Sequence, residues 1–360
     1  MTTKSRIEHV DGLRGLAAML VVVGHWCELI SRQAVPTSLS LGLKATFLDY
    51  FSTGRVGVVA FFCVSGFVIP FSFKGETPRA RFVTSRFFRL YPAYWLALAG
   101  AAILLPLVGP SYSAWNILAN ATLLPKFLGQ PYILGVCWTL TIELIFYGIC
   151  FLAFSANVLH SARFNFAAVT TFILIGLAMA FYRSTHPGTG MPAGTMTFLA
   201  VMHFGTLTRL ATLERSREAG ILTPIALGIL VVGVVAADTI GYRHNSDSEL
   251  GWIAMSTGYL AGVALFLLCI YRQWFGGRIM VFLGAISYAV YLFHPIVHEL
   301  CRHFWTSFSD WRSATLVLTP IYFATSLVVA TLVYRFVELP GIELGKKFSA
   351  IKWSRKIRRS

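Results

Sequence analysis

Apolar residues in this chain come in continuous runs, broken by short polar stretches. The runs lie near 11–30, 54–73, 91–108, 133–154, 165–182, 195–210, 220–238, 251–271, 280–300 and 313–336. A helix needs about 20 apolar residues to cross a hydrocarbon core. The pattern therefore predicts ten transmembrane helices. A transmembrane barrel is excluded, because its strands alternate inward and outward residues over about ten positions. The sixth run, "TMTFLAVMHFGTLTRL", is the weakest, being short and carrying His203. Between the third and fourth runs, "GPSYSAWNILANATLLPKFLGQPY" is apolar enough to lie along the membrane surface. The expected fold is an all-α polytopic membrane bundle.

Composition agrees. The 360 residues are 56% hydrophobic and 12% charged, with mean hydropathy +0.68. A soluble domain has about a quarter of its residues charged, so that class is excluded. The net charge of +15 would suggest nucleic acid in a soluble protein. Here the basic residues sort by side. With the N-terminus inside, twenty-two Lys and Arg fall on inner segments and eight on outer ones. This asymmetry predicts an N-in, C-in topology with an even number of spans. Residues 1–340 read as one integral membrane domain. Residues 341–360 read as a basic cytoplasmic tail, in which "KKFSAIKWSRKIRRS" suits anionic headgroups. The start, "MTTKSRIEHV", precedes an apolar run without an A-x-A-like site, which predicts an uncleaved first span. The six cysteines are scattered with no C-x-x-C or Cys/His spacing, so neither a disulfide framework nor a zinc site is expected.

Against this background the ionisable residues inside the runs stand out, since such groups are costly in a span and usually face a cavity or a partner. The first run, "DGLRGLAAMLVVVGHW", carries Arg14 and His25. Eleven positions leave them ~20° apart around a helix and ~16 Å apart along it, on one face. Arg14 fits either a headgroup contact or an inner entrance; His25, deeper, favours function. Glu143 in "WTLTIELIFY" fits a structural ion pair or a proton-relay or histidine-orienting role. His294 in "SYAVYLFHPIVHEL" lies fourteen residues from Met280, as His25 does from Asp11, which predicts a similar depth. His294 and His298 have i, i+4 spacing, but Pro295 between them and the lack of a third ligand argue against metal. Arg86 and Arg89 belong to the positive-inside signal and form an i, i+3 pair suited to phosphate. Ser65-Gly66 offers close helix approach or a ligand contact. Ser65 lies in no G-x-S-x-G elbow.

Six stretches, in order from residue 11 to 340, resemble the acyltransferase 3 family of bacterial multi-pass O-acyltransferases. They are "DGLRGLAAMLVVVGH", "FFCVSGFVIPF", "RFFRLYPAYW", "WTLTIELIFYG", "ISYAVYLFHP" and "RFVELP". The family's Arg-x10-His motif falls on Arg14 and His25, and its Arg-x-x-Arg motif on Arg86 and Arg89. Its mid-membrane glutamate falls on Glu143 and its late histidine on His294.

The resemblance implies transfer of an acyl group, usually acetyl, from cytoplasmic acyl-CoA to a hydroxyl. The acceptor would be a carbohydrate such as O-antigen, exopolysaccharide or glycolipid, and the location the inner membrane. Arg14, Arg86 and Arg89 would hold CoA phosphates. His25 would serve as general base or carry the acyl group, with Glu143 or His294 orienting it. Ser65 and Trp138, inside two of the matching stretches, are the substrate-binding candidates. No metal is expected. A proton-coupled transporter would also place His and Glu mid-membrane, but the paired broken helices of inverted repeats are missing from the sequence.

Overall fold

The computed structural model describes residues 7–33, 38–109, 111–186, 188–189, 192–243 and 251–357. Lys4 and Arg6 of the charge count lie outside these residues, as do Arg358 and Arg359 of the basic tail. The described residues fold into thirteen α-helices. In chain order they are α1 (Glu8–Gln33), α2 (Ser38–Lys44), α3 (Thr53–Val68), α4 (Pro78–Leu104), α5 (Ala114–Ala121) and α6 (Trp138–Ser155). They continue with α7 (Ala162–Thr185), α8 (Ala193–Thr212), α9 (Arg217–Tyr242), α10 (Trp252–Arg272), α11 (Arg278–Trp305), α12 (Trp311–Val333) and α13 (Leu339–Ile357). Nine helical stretches among the described residues are long and apolar enough to cross a membrane. The molecule is a multi-pass membrane protein.

The chain divides into two compact units, one of residues 1–70 and 142–284, the other of residues 71–141 and 285–360. In the first unit helices meet through glycines, because without a hydrophobic drive in lipid their association rests on close van der Waals contact. A Cβ on Gly57 of α3 would collide with the Ala17 carbonyl of α1, and one on Gly66 with the Met202 carbonyl of α8. The contact is reciprocal, since a Cβ on Gly205 of α8 would collide with the Cys63 carbonyl of α3. The Thr206 hydroxyl donates to the Gly66 carbonyl at 2.9 Å across the same seam.

Helix α8 is the weak sixth run, and it is not among the nine stretches. It is buried along most of its length against α3, α7 and α9, so protein and not lipid surrounds it. That environment accommodates His203. Asn165 donates its amide to the Leu159 and Ser161 carbonyls at 2.8 and 2.9 Å, which leaves its Oδ1 to accept from His203 Nδ1 at 2.9 Å. The rings of Phe146, Phe164 and Phe172 surround the imidazole at 5.3–5.8 Å.

In the second unit α4 begins at Pro78, thirteen residues before the expected start at 91. The segment from 78 to 90 is too charged to register as a span. However, Pro78 suits the first helical turn and no breaker follows it before Pro92. Pro92 then sits inside the helix and cannot donate to the Phe88 carbonyl. Helix α13 runs along this stretch. Gly345 sits close enough that a Cβ would lie 2.9 Å from Phe88 Cβ, and Phe348 stacks on Phe88 at 5.4 Å. The expected tail is therefore helical as far as Ile357, continuing from α12 through a π turn at Tyr334–Glu338.

The loop before α6 contains α5. Its Asn120 donates to the Asn116 and Pro131 carbonyls at 2.9 and 3.0 Å and accepts from the Ile133 amide at 3.1 Å. Those bonds bury the asparagines and leave Trp115, Leu118 and Phe127 exposed, as a segment lying on a membrane surface requires. Side-chain oxygens of Ser52, Ser113, Ser161, Ser216 and Asp310 cap the starts of α3, α5, α7, α9 and α12. Such caps stabilise a helix by about 1 kcal/mol.

Candidate active site

The first candidate element is α1. Its glycines press it onto neighbouring backbone: a Cβ on Gly15 would lie 2.6 Å from the Gly284 amide, and one on Gly24 2.7 Å from the Gly54 amide. Arg14 and His25 each stand next to one of these contacts. Arg14 Nη1 lies 3.8 Å from Asp11 Oδ1, one turn earlier, both side chains being about one-fifth exposed. His25 Nδ1 lies 3.6 Å from Glu28 Oε2, and Glu28 Oε1 accepts from Arg32 Nη2 at 2.7 Å. An imidazole, a carboxylate and a guanidinium thus follow one another along the last turns of α1. At 3.6 Å the imidazole and carboxylate are within Coulomb range and beyond hydrogen-bond range.

Glu143 of α6 receives the Tyr147 hydroxyl at 2.7 Å, one turn along the same helix. It is also reached by the Ser65 hydroxyl of α3 at 3.5 Å. Two residues singled out separately in the sequence therefore meet. The neighbouring Gly66 faces α8, the close helix approach expected of the Ser-Gly pair.

His294, Arg86, Arg89 and Trp138 belong to the second unit. His294 is fully buried in α11 and its Nδ1 lies 3.0 Å from the Val290 carbonyl. A carbonyl only accepts, so that nitrogen carries a proton, and in the neutral imidazole Nε2 keeps the lone pair. The neighbouring Tyr291 hydroxyl bonds Thr139 Oγ1 at 2.8 Å and the Val136 carbonyl at 3.0 Å. Arg86 and Arg89 are half-buried in the third and fourth turns of α4, not at its start, and Arg86 lies 5.6 Å over the Phe82 ring. Trp138 opens α6, half-buried. No group of three His, Cys, Asp or Glu side chains gathers among the described residues.

Three features escaped the sequence reading. Glu28 is the acidic neighbour of His25, and its signal was the His-x-x-Glu spacing that puts both on one helical face. Tyr147 is the donor to Glu143, signalled by i, i+4 spacing. The third has no local signal: Arg55 of α3 sits 5.5 Å from both the Phe198 and Tyr259 rings, near buried Asp238 of α9, which accepts from Ser256 at 3.2 Å.

A profile described as an acyltransferase domain matches residues 7–335, taking in every candidate site residue above. The chain belongs to the acyltransferase 3 family. Among curated proteins, this family member is 28% identical over 153 residues to acyltransferase MdmB of Streptomyces mycarofaciens. The alignment covers 39% of the chain and 38% of that relative, so the chain spans about two-fifths of the relative's length. No solved structure matches it.

Proposed function

We propose that this protein is an inner-membrane O-acyltransferase. It would move an acyl group, acetyl by family usage, from cytoplasmic acyl-CoA to a hydroxyl of a carbohydrate or lipid-linked glycan. The observation that carries the reading is the pairing on α1 of His25 with Glu28, inside a chain whose family match covers residues 7–335. In this reading the bundle crosses the membrane ten times, α8 included, with both termini cytoplasmic, which the distribution of basic residues supports.

In this mechanism Glu28 attracts the Nδ1 edge of His25, and Nε2 takes the acceptor's proton. The acceptor oxygen attacks the thioester carbonyl carbon. The C–S bond then breaks, and the departing thiolate takes the proton from the imidazolium. The reading assigns CoA phosphates to Arg14, Arg86 and Arg89. Glu143, held by Tyr147 and Ser65, and His294, with its lone pair on Nε2, are assigned to proton handling. Ser65 and Trp138 are assigned to substrate contact.

The test uses full-length protein in lipid nanodiscs, given acetyl-CoA and envelope glycan from the host. Thiol release and acceptor mass are the readouts. Loss of a general base costs about 10²–10⁴ in rate, so His25→Ala should reduce acetyl transfer by that factor at unchanged protein level. Retained transfer would remove His25 from the chemistry. Flux of a small solute without acetyl-CoA, and no thiol release, would replace the enzyme by a transporter.

A further inference from the structure

The first unit holds a cavity of about 650 Å³ that the mechanism does not use. Phe67 of α3 and Phe204 of α8 are among its lining residues, with Pro224 and Leu227 on α9 and Leu267 and Tyr271 on α10. Its size falls within the range of small-ligand sites, about 300–1,000 Å³. Its surroundings identify the occupant. Ile221, Ile225 and Leu268, which alternate along α9 and α10 with lining residues, are exposed, as lipid-facing residues would be. At the same helix ends Tyr271 and Trp274 are exposed, as aromatic residues are at headgroup level.

The charge at this end is unbalanced. Glu214 pairs with Arg209 at 3.3 Å and Glu218 with Arg163 at 2.6 Å. Arg215 and Arg217, beside those glutamates, and Arg272, between lining residues Tyr271 and Gln273, are exposed. None of the three has a carboxylate partner among the described residues. Residues with polar groups suited to a glycerol–phosphate region also line the cavity: His9, and Gly220, whose carbonyl has no i+4 donor because Pro224 lacks an N–H.

We infer that this cavity binds one anionic phospholipid, an acyl chain lying between α9 and α10 and the phosphate facing Arg215, Arg217 and Arg272. The site braces the start of α1, since the Cys269 thiol of α10 donates to the His9 carbonyl at 3.2 Å beside it. The inference stands apart from the proposed reaction.

The experiment is native mass spectrometry of delipidated full-length protein, titrated with phosphatidylglycerol or with phosphatidylcholine of identical chains. Each arginine near an anionic headgroup contributes roughly a fivefold gain. Wild type should therefore hold one phosphatidylglycerol and prefer it by roughly a hundredfold. Arg215→Gln with Arg272→Gln should bring the preference down by roughly twentyfold or more. Gly220→Trp should abolish retention of both lipids. A Cβ at Gly220 meets nothing within 4 Å, so the larger side chain can be built, and an unchanged melting midpoint confirms folding. Equal binding of the two lipids, or retention unaltered by Gly220→Trp in folded protein, would overturn the inference. Displacement of the lipid by acetyl-CoA would overturn it too, making the cavity a donor site, whereas indifference to acetyl-CoA and to inorganic phosphate supports it.

Discussion

Replacing Glu28 by glutamine keeps the size and hydrogen-bonding capacity of the side chain and removes its charge. In the native protein that charge lies 3.6 Å from His25 Nδ1, with the imidazole 40% and the carboxylate 25% exposed. Coulomb's law at this separation gives about 1.2 kcal/mol at the dielectric of water and about 4.6 kcal/mol at an effective value of 20. Exposure of both partners puts the pair nearer the lower figure, about 1–2 kcal/mol. If His25 becomes an imidazolium only as it takes the acceptor's proton, the interaction strengthens in the transition state and its loss falls on kcat. Glu28→Gln should then slow acetyl transfer by about tenfold. Arg32→Gln, which removes the Arg32–Glu28 pair and leaves the carboxylate beside His25, should change it less than twofold. The decisive assay is a double-mutant cycle: in a His25→Ala background, Glu28→Gln should leave the residual rate unchanged. A tenfold loss there too would refute the reasoning, because Glu28 would then be acting on something other than the imidazole.

Tyr147→Phe removes a 2.7 Å donor from the half-buried Glu143 carboxylate and should cost about 1.5 kcal/mol, read as a melting midpoint lowered by a few degrees. Ser65→Ala, at 3.5 Å from the same oxygen, should cost less. Arg55→Gln leaves buried Asp238 with the Ser256 hydroxyl but without its neighbouring guanidinium and should destabilise the protein by about 2 kcal/mol, whereas adding Asp238→Asn should restore most of the loss. Asp310 caps α12, and donation from the Ser313 hydroxyl, then from the Ser313 amide, holds its carboxyl below the ordinary aspartate value of 3.8. A lowered folded-state value means that the cap's contribution is present above pH 3.8 and is lost as pH falls through the folded-state value. Protection of the Arg312 and Ser313 amides, measured relative to their intrinsic exchange rates at each pH, should therefore be high at neutral pH and low in stronger acid, with Asp310→Asn flattening the dependence.

The spans were legible because a lipid-facing helix must be apolar along its length, and nine of the ten expected runs stand out by that criterion in the structure. Helix α8 was faint for the converse reason: enclosed by protein, it satisfies polar Thr206, Thr208 and His203 internally and has no need of an apolar surface. Residues 38–50 and the first turns of α4 were missed because they are helical without being uniformly apolar. For the candidate site, local spacing carried Arg14 with His25 and could have carried Glu28 and Tyr147. The meeting of Ser65 with Glu143, 78 residues apart, rests on helix contacts that periodicity does not encode. The same holds for Arg55 and Asp238, one counted as an orienting charge and the other passed over at the end of an apolar run.

The glycines of α1 give its Arg-x10-His pattern a structural meaning. Gly15 and Gly24 are nine residues apart, which at 100° each places them on opposite sides of the helix. One side meets Gly284 at the start of α11 and the other meets Gly54 at the start of α3. Further contacts fall on the same two sides: a Cβ on Gly284 would collide with the Asp11 carbonyl, and one on Gly57 with Ala17 and Val21. Relative to Arg14, the α11 contacts lie at about +60° to +100° and the α3 contacts at about −20° to −80°. The stripe joining Arg14 to His25, at 0° to about +20°, falls between them. Backbone contacts on both flanks therefore fix the rotation of α1, and no side chain needs to be ordered to aim the imidazole. A helix gripped in this way can present a base at a set depth and azimuth, the preorganisation that acyl transfer requires and that loop-borne residues achieve less well.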